Sequence, residues 1–310
     1  MNNIALVFPG QGSQYIGMTQ DFPYSSLSSY FDDYFGKASD LFGVDLLSYC
    51  YSGPEKKLNS TYIAQPVILI HSFIIDQLLK WNKIKIRAVA GHSLGEYTAL
   101  LSSGVISFDD CLKILKVRCT EMQKANEKYK GTMIAIISDN LKLINKICKN
   151  FPKTVVANVN SHNQIIISGP LDEIDEAISL LKKNNIKRVI KLNVSGAFHS
   201  PLMKEANLSL NKAINSVNFN DTNTAIYQNV SPIENFEGAR IKENLLKQLT
   251  GSVLWYDTII SMEKNNIDTI IEVGPKKVLS KLVQKISPSI KTISLDKFSD
   301  LLLNGIKFNI

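Results

Sequence analysis

Apolar positions along this chain follow two rhythms, and the switches between them mark the elements. Ile4-Ala5-Leu6-Val7-Phe8 is a short unbroken apolar run, the signature of a buried strand, and it ends in the glycine-rich loop Pro9-Gly10-Gln11-Gly12-Ser13-Gln14. Polar and aromatic helical segments follow to about residue 50. Ser60-Thr61 can cap a helix over 63–79, where apolar residues recur at three- and four-residue steps. A second short run, Ala88-Val89-Ala90, predicts another buried strand. It leads through a glycine-flanked turn into a helix ending near Ser103-Gly104. Ser107-Phe108-Asp109-Asp110 reads as a capping box that opens a long helix toward Lys128, with Leu112, Leu115, Cys119 and Met122 on one face.

From 131 to 194 the rhythm changes. Strands are predicted over 133–137, 155–159, 164–168 and 188–192, and helices over 141–148 and 171–184. The order β-α-β-β-α-β is the ferredoxin-like arrangement. Beyond it come the small-residue loop Ser195-Gly196-Ala197-Phe198-His199, a helix, and a short strand at 225–227. Helices over 242–249 and 255–264 follow, then a strand at 269–273, Gly274-Pro275 and another helix. Strands alternating with helices on both sides of 131–194 argue for a mostly parallel α/β body. The expected fold is α/β: an α/β-hydrolase-like large domain from 1–130 and 195–310, with a ferredoxin-like small domain, 131–194, inserted into it. No Pro- or Gly-rich linker separates the two, so they should pack firmly.

Composition narrows the class. Of 310 residues, 45% are hydrophobic and 20% charged, enough for a sizeable core. No apolar run suggests a membrane span, and Met1–Phe8 lacks the basic start of a signal peptide, so a cytoplasmic location with no membrane partner is expected. Cys50, Cys111, Cys119 and Cys148 show no paired spacing and read as reduced, mostly buried thiols. The four histidines form no metal-ligand pattern, so no metal is expected. The net charge of +7 either speeds encounter with an acidic partner or reflects a lysine-rich composition throughout. Nothing resembles an arginine-rich arm or basic-aromatic stripe, so nucleic acid is not an expected partner.

The candidate chemistry lies in Gly91-His92-Ser93-Leu94-Gly95. A serine with a glycine two residues away on each side, at a strand-to-helix turn, is the nucleophile-elbow pattern. The tight turn exposes the hydroxyl, and the helix N-terminus behind it favours negative charge. A serine nucleophile needs a base. His199, in a small-residue loop before a helix, is the candidate. His92 should point away from the turn and pack, His71 sits in an apolar helix, and His162 falls on a surface loop. Asp172 and Asp175 lie between Ser93 and His199 in the sequence, but on a helix of the insertion where they should face solvent. This points to a Ser-His dyad with a neutral oxygen orienting the imidazole.

Together these motifs resemble the bacterial malonyl-CoA:acyl carrier protein transacylases. The matching segments are Phe8-Pro9-Gly10-Gln11-Gly12-Ser13-Gln14, Ala64-Gln65-Pro66, Gly91-His92-Ser93-Leu94-Gly95-Glu96, Arg118 with Met122-Gln123, Gly196-Ala197-Phe198-His199-Ser200-Pro201, Gln248-Leu249-Thr250 and Glu272-Val273-Gly274-Pro275. The resemblance implies ping-pong transfer of malonyl from malonyl-CoA to the phosphopantetheine thiol of acyl carrier protein. Ser93 would be the acylated residue and His199 its base. The backbone N–H groups of Gln11 and Leu94 would form the oxyanion hole, and Arg118 would clamp the malonyl carboxylate. Gln248 would orient His199, and Asn160 would line the entrance on the small domain. The resemblance implies no cofactor, since coenzyme A belongs to the substrate and phosphopantetheine to the partner. Cys119, Gly251-Ser252 and Lys276 depart from the family pattern, none at a position expected to touch the chemistry. Two rivals remain at this level. A serine hydrolase for neutral acyl chains would have no use for Arg118, and a silent synthase partner would have no need of Ser93, His199 and Arg118 together.

Overall fold

Strands β1 (Ile4–Phe8) and β2 (Ala88–Gly91) carry almost no polar side chain, as strands buried on both faces must. In the computed structural model, which describes residues 3–22, 29 and 31–305, they are the middle of a six-stranded sheet. The helical segments expected before residue 50 lie partly outside the described residues, as do Met1 and Asn2. The sheet order is β10 (Lys291–Leu295), β9 (Thr269–Val273), β1, β2, β7 (Ala225–Gln228), β8 (Ser231–Asn235). All pairs are parallel except β7 with β8.

Alternation along each central strand feeds two core layers. Leu6, Phe8, Val89 and Ile271 face the larger layer, which is covered by helices α1 (Thr61–Trp81), α2 (Gly95–Ser102), α3 (Phe108–Lys128) and, later in the chain, Lys204–Asn215. Ala5, Val7, Ala88, Ala90 and Ile270 face the smaller one, against Trp255–Lys264 and Leu279–Ile286. Helix α1 has the length and apolar composition of a membrane span, contrary to the expectation that no such run exists. It is the central core helix, with 89% of its apolar window buried inside the protein. Its entry also differs from expectation, because the Ser60 hydroxyl donates to the Lys57 carbonyl and caps nothing. Ser107 does cap α3, accepting the Asp110 N–H at 3.1 Å.

Strands β3 (Gly131–Ile137), β4 (Val155–Ser161), β5 (Gln164–Pro170) and β6 (Val189–Lys191) form a separate antiparallel sheet in the order β4-β5-β3-β6. Helices Leu141–Cys148 and Leu171–Lys183 pack on it around Ile134, Ile136, Ile144, Ile167 and Leu181. Its edge strand β4 is joined to the body through residues 252–253. The Val159 N–H donates to the Val253 carbonyl at 2.9 Å, and the Val253 N–H donates to the Ala157 carbonyl at 2.8 Å. β4 shifts register between Val156 and Asn158 and again between Val159 and Ser161, the irregularity expected where a strand serves two partners.

The end of β1 meets the start of α2 at the turn after β2. A Cβ at Gly95 would sit 1.9 Å from the Phe8 carbonyl oxygen, so the backbone of α2 touches the backbone of β1. No rotamer relieves that overlap. Gly95→Ala should therefore cost more than about 4 kcal/mol of stability or prevent folding. Chemical denaturation of a soluble Gly95→Ala protein with a near-normal midpoint would contradict this placement.

Candidate active site at the elbow

Loops leaving the carboxyl ends of β1, β2 and β7 converge, as is usual for ligand sites in parallel sheets. Ser93 sits at the apex of the β2–α2 turn with φ of 52°, in the left-handed region that a side chain rarely adopts. Its hydroxyl lies 2.8 Å from His199 Nε2. His199 is also left-handed, with φ of 56°, and it is buried. The imidazole Nδ1 lies 3.1 Å from the carbonyl oxygens of both Gln248 and Gly251. Two acceptors at Nδ1 fix the proton there and leave the Nε2 lone pair facing the Ser93 hydroxyl. Burial, and then the nearby Arg118 charge, push the His199 pKa down to about 3. The resting imidazole is therefore neutral and can take a proton.

Gln248 supplies an oxygen to His199 as expected and has a second contact. Besides its carbonyl bond to His199, its side-chain amide donates to the Ser93 carbonyl at 2.7 Å, so it holds both members of the pair. The structure corrects the expectation for Gly251, a departure from the family pattern expected to lie apart from the chemistry. The Gly251 carbonyl is the second acceptor for His199. Of the other departures, Cys119 Sγ lies 3.4 Å from Gln65 Oε1, and Lys276 Nζ reaches the Gly12 carbonyl at 3.3 Å.

Arg118 is only 1% exposed, deeper than a residue at the edge of a cleft. One guanidinium nitrogen donates to Gln65 Oε1 and another to Ser93 Oγ at 3.2 Å. The group stacks over the Tyr97 ring at 5.2 Å, and Nε has no partner. Among the described residues no carboxylate lies within ion-pair distance of it. The buried Glu96 feels the Arg118 charge but makes no ion pair with it; a buried guanidinium left without a paired carboxylate is costly, so the site is suited to receive an anion next to Ser93.

The glycine-rich loop packs against the elbow because Gly10 has no Cβ, which would meet the His92 carbonyl oxygen at 2.5 Å. Gln65 Nε2 donates to Gln11 Oε1 at 3.3 Å and holds that loop. Among the described residues, neither the Gln11 nor the Leu94 main-chain N–H has a protein acceptor. Asn160 lies on the irregular part of β4 and accepts from His92 Nε2 at 2.9 Å. His92 thus does more than pack against Trp255 at 5.7 Å; it also bonds the insertion to the elbow. His71 bonds the Asp296 carbonyl away from the site, and His162, Asp172 and Asp175 are exposed.

Three residues belong to this site that the sequence pattern did not single out: Gln65, Glu96 and Asn229. Gln65 and Glu96 were visible inside the motifs, as polar residues among apolar neighbours. Asn229 was signalled only by its place just beyond a short strand beside β2.

A half-buried serine at the apex of a strand-to-helix turn on a mostly parallel α/β sheet, paired with a neutral histidine and a buried arginine, defines the class of acyl-transferring enzymes. The acyl transferase domain family model matches residues 5–296, and the chain belongs to that family. It is 36% identical over 299 residues to a malonyl CoA-acyl carrier protein transacylase of Bacillus subtilis, covering 95% of this chain and 94% of that one. A relative of the same name from Haemophilus influenzae is 35% identical, with 96% of each covered. The crystal structure of malonyl-CoA:acyl carrier protein transacylase from Xanthomonas oryzae is similar at TM-score 0.91 and 33% identity, with 98% of both chains covered. A malonyl-transacylase solved in complex with its type II PKS acyl-carrier protein is similar at TM-score 0.90 and 30% identity, covering 97% of this chain and 98% of that chain.

The buried imidazole has a consequence for stability. The folded pKa of His199 is below its ordinary 6.5, so as pH falls the unfolded chain takes up this proton first. The folded state loses stability through this group from about pH 6.5 downward to about 3. Glu96, raised by burial to about 7 from 4.5, acts in the opposite direction, because its folded form protonates first. Comparing wild type with His199→Gln isolates the histidine. The unfolding free energy of wild type should fall relative to the variant between pH 7 and pH 4, and a pH-independent difference would contradict the buried neutral imidazole.

Proposed function

We propose that this chain transfers malonyl from malonyl-CoA to the phosphopantetheine thiol of acyl carrier protein through a malonyl ester on Ser93. The observation that carries this reading is Arg118, a buried guanidinium without an acid partner, 3.2 Å from the Ser93 hydroxyl. A neutral acyl chain would leave it unpaired. Malonyl brings a carboxylate to a planar fork suited to it.

In the first half-reaction Ser93 Oγ attacks the thioester carbonyl carbon while His199 Nε2 takes its proton. The tetrahedral oxyanion is held by the Gln11 and Leu94 N–H groups. The C–S bond then breaks, and His199 returns the proton to the departing coenzyme A sulfur. In the second half, His199 deprotonates the carrier's thiol, which attacks the malonyl ester, and Ser93 recovers its proton. The His199 cation formed in each half is held by the Gln248 and Gly251 carbonyls where a triad would place a carboxylate. Every bond and proton is accounted for by these protein groups. Asn160, on the insertion, lines the entrance beside the elbow. Residues 131–194 form the second wall of the cleft, as an insertion into a body of 1–130 and 195–310. We place the activity in the cytoplasm, where four buried free thiols stay reduced.

Incubation with malonyl-CoA should add one malonyl mass to the intact protein, and Ser93→Ala should not acquire it; an adduct surviving that substitution would overturn the assignment.

Losing one partner of a buried charge pair costs on the order of 2–5 kcal/mol. Arg118→Ala should therefore lower malonyl transfer by about a hundredfold or more while leaving the slow transfer of acetyl little changed. Arg118→Lys should restore only part, since a point charge cannot reproduce the fork. Equal loss of malonyl and acetyl transfer in Arg118→Ala would show that the arginine is structural.

A further inference from the structure

Ser93 occupies a backbone conformation that does not hold itself. Its main-chain N–H is taken up by a side chain from another part of the chain, and so is its carbonyl, which also accepts the Glu96 N–H at 3.2 Å. The carbonyl accepts from Gln248, and the N–H donates to Asn229 Oδ1 at 2.7 Å. The other end of the same Asn229 carboxamide, Nδ2, donates to the Gly91 carbonyl at 2.6 Å. One planar group thus bridges the two sides of the elbow, closing it across Gly91 and Ser93 as a neighbouring strand would. Asn229 itself is buried and held from both sides. Its N–H donates to Glu96 Oε2 at 2.8 Å, and its carbonyl accepts from the Leu254 N–H at 2.9 Å. Glu96 Oε1 accepts from Gln228 Nε2 at 3.1 Å, and Gln228 Oε1 accepts from Asn244 Nδ2 at 2.9 Å.

We infer that Asn229 is a positioning residue for acyl transfer, acting through the Ser93 backbone. By occupying the Ser93 N–H and fixing the Gly91 carbonyl, it sets the rotation of the two peptide planes that flank His92, the second of which leads into Ser93. That rotation fixes the entry into Ser93 and so aims Oγ at His199, while Gln248, on the Ser93 carbonyl, holds the next plane, which carries the Leu94 N–H. Asn229 touches neither substrate nor reacting atoms. The inference rests on the acyl-Ser93 reading above.

The test compares Asn229→Ala and Asn229→Asp with wild type, using malonyl-CoA and a bacterial holo-acyl carrier protein. Asn229→Asp is nearly isosteric and keeps an acceptor for Ser93, but it sets an oxygen against the Gly91 carbonyl. It carries the test if the alanine variant does not fold. The fraction of chains able to form malonyl-Ser93 is titrated by intact mass, and turnover is expressed per competent site. Misplacement near 1 Å costs about a hundredfold. Turnover per competent site should fall by about that factor in both variants, with KM for malonyl-CoA within about threefold of wild type, because Arg118 is left intact. Damage to the fold alone would lower the competent fraction and leave turnover per site unchanged; that result overturns the inference, and so does a rise in KM at constant turnover. Failure of wild type itself to form malonyl-Ser93 would overturn the acyl-Ser93 reading, a distinct outcome.

Discussion

The contact of the Gly95 backbone with the Phe8 carbonyl is the constraint on which the site depends. It brings the start of α2 against the end of β1, so the β1 loop and the elbow share one small volume. A chain turning that sharply from strand to helix has to pass through left-handed backbone, and Ser93 is the residue that does so. Such a conformation costs of order 1–3 kcal/mol and persists only where the surroundings over-determine it. Here they do, through hydrogen bonds to both main-chain polar groups of Ser93 and through the packing of α2 on β1 and β2. His199 has the same kind of backbone and is fixed through its ring. Both reacting side chains are therefore placed by strained main chain that the rest of the fold holds.

Much of this was legible in sequence. Ser93, His199, Gln11, Arg118 and Gln248 are far apart in the chain, and the structure gathers them at one end of the sheet. The elbow was readable because its glycines answer a steric demand that leaves few alternatives. The βαββαβ order of 131–194 was readable because its periods switch cleanly. The edge strands β8 and β10 were not. β8 contains Pro232 and Glu234, which weaken a strand signal, and Pro232 is accommodated because the strand is an edge. β10 begins with Lys291 and is half exposed. Asn229 and the Gly251 carbonyl were hidden for another reason. One acts across a sheet and the other through its main chain, and neither role leaves a local pattern.

Residues 248–254 carry more of the machinery than their composition suggests. Within them, Gln248 and Gly251 supply the two oxygens on His199, and Ser252 and Val253 bond β4 of the insertion. Leu254 bonds the Asn229 carbonyl. The base, the elbow and the antiparallel sheet are thus tied to one short segment. Swinging that sheet away from the body would break two main-chain hydrogen bonds and disturb the acceptors of His199 at the same time. A long flexible arm such as phosphopantetheine suits this arrangement, because it can thread to Ser93 without the walls moving apart.

The electrostatics of Arg118 and His199 give selectivity a second route under the proposed chemistry. After burial, the Arg118 charge is the largest influence holding the His199 basicity down. A malonyl carboxylate on Arg118 would cancel that field at the moment Ser93 must lose its proton. The imidazolium that forms would then face a neutral pair in place of a bare cation a few ångströms away. An acyl group without a carboxylate leaves the cation in place, so it is bound less well and is also met by a weaker base. Discrimination against it would appear in the chemical step as well as in binding, which binding energy alone cannot provide when substrate and transition state gain equally.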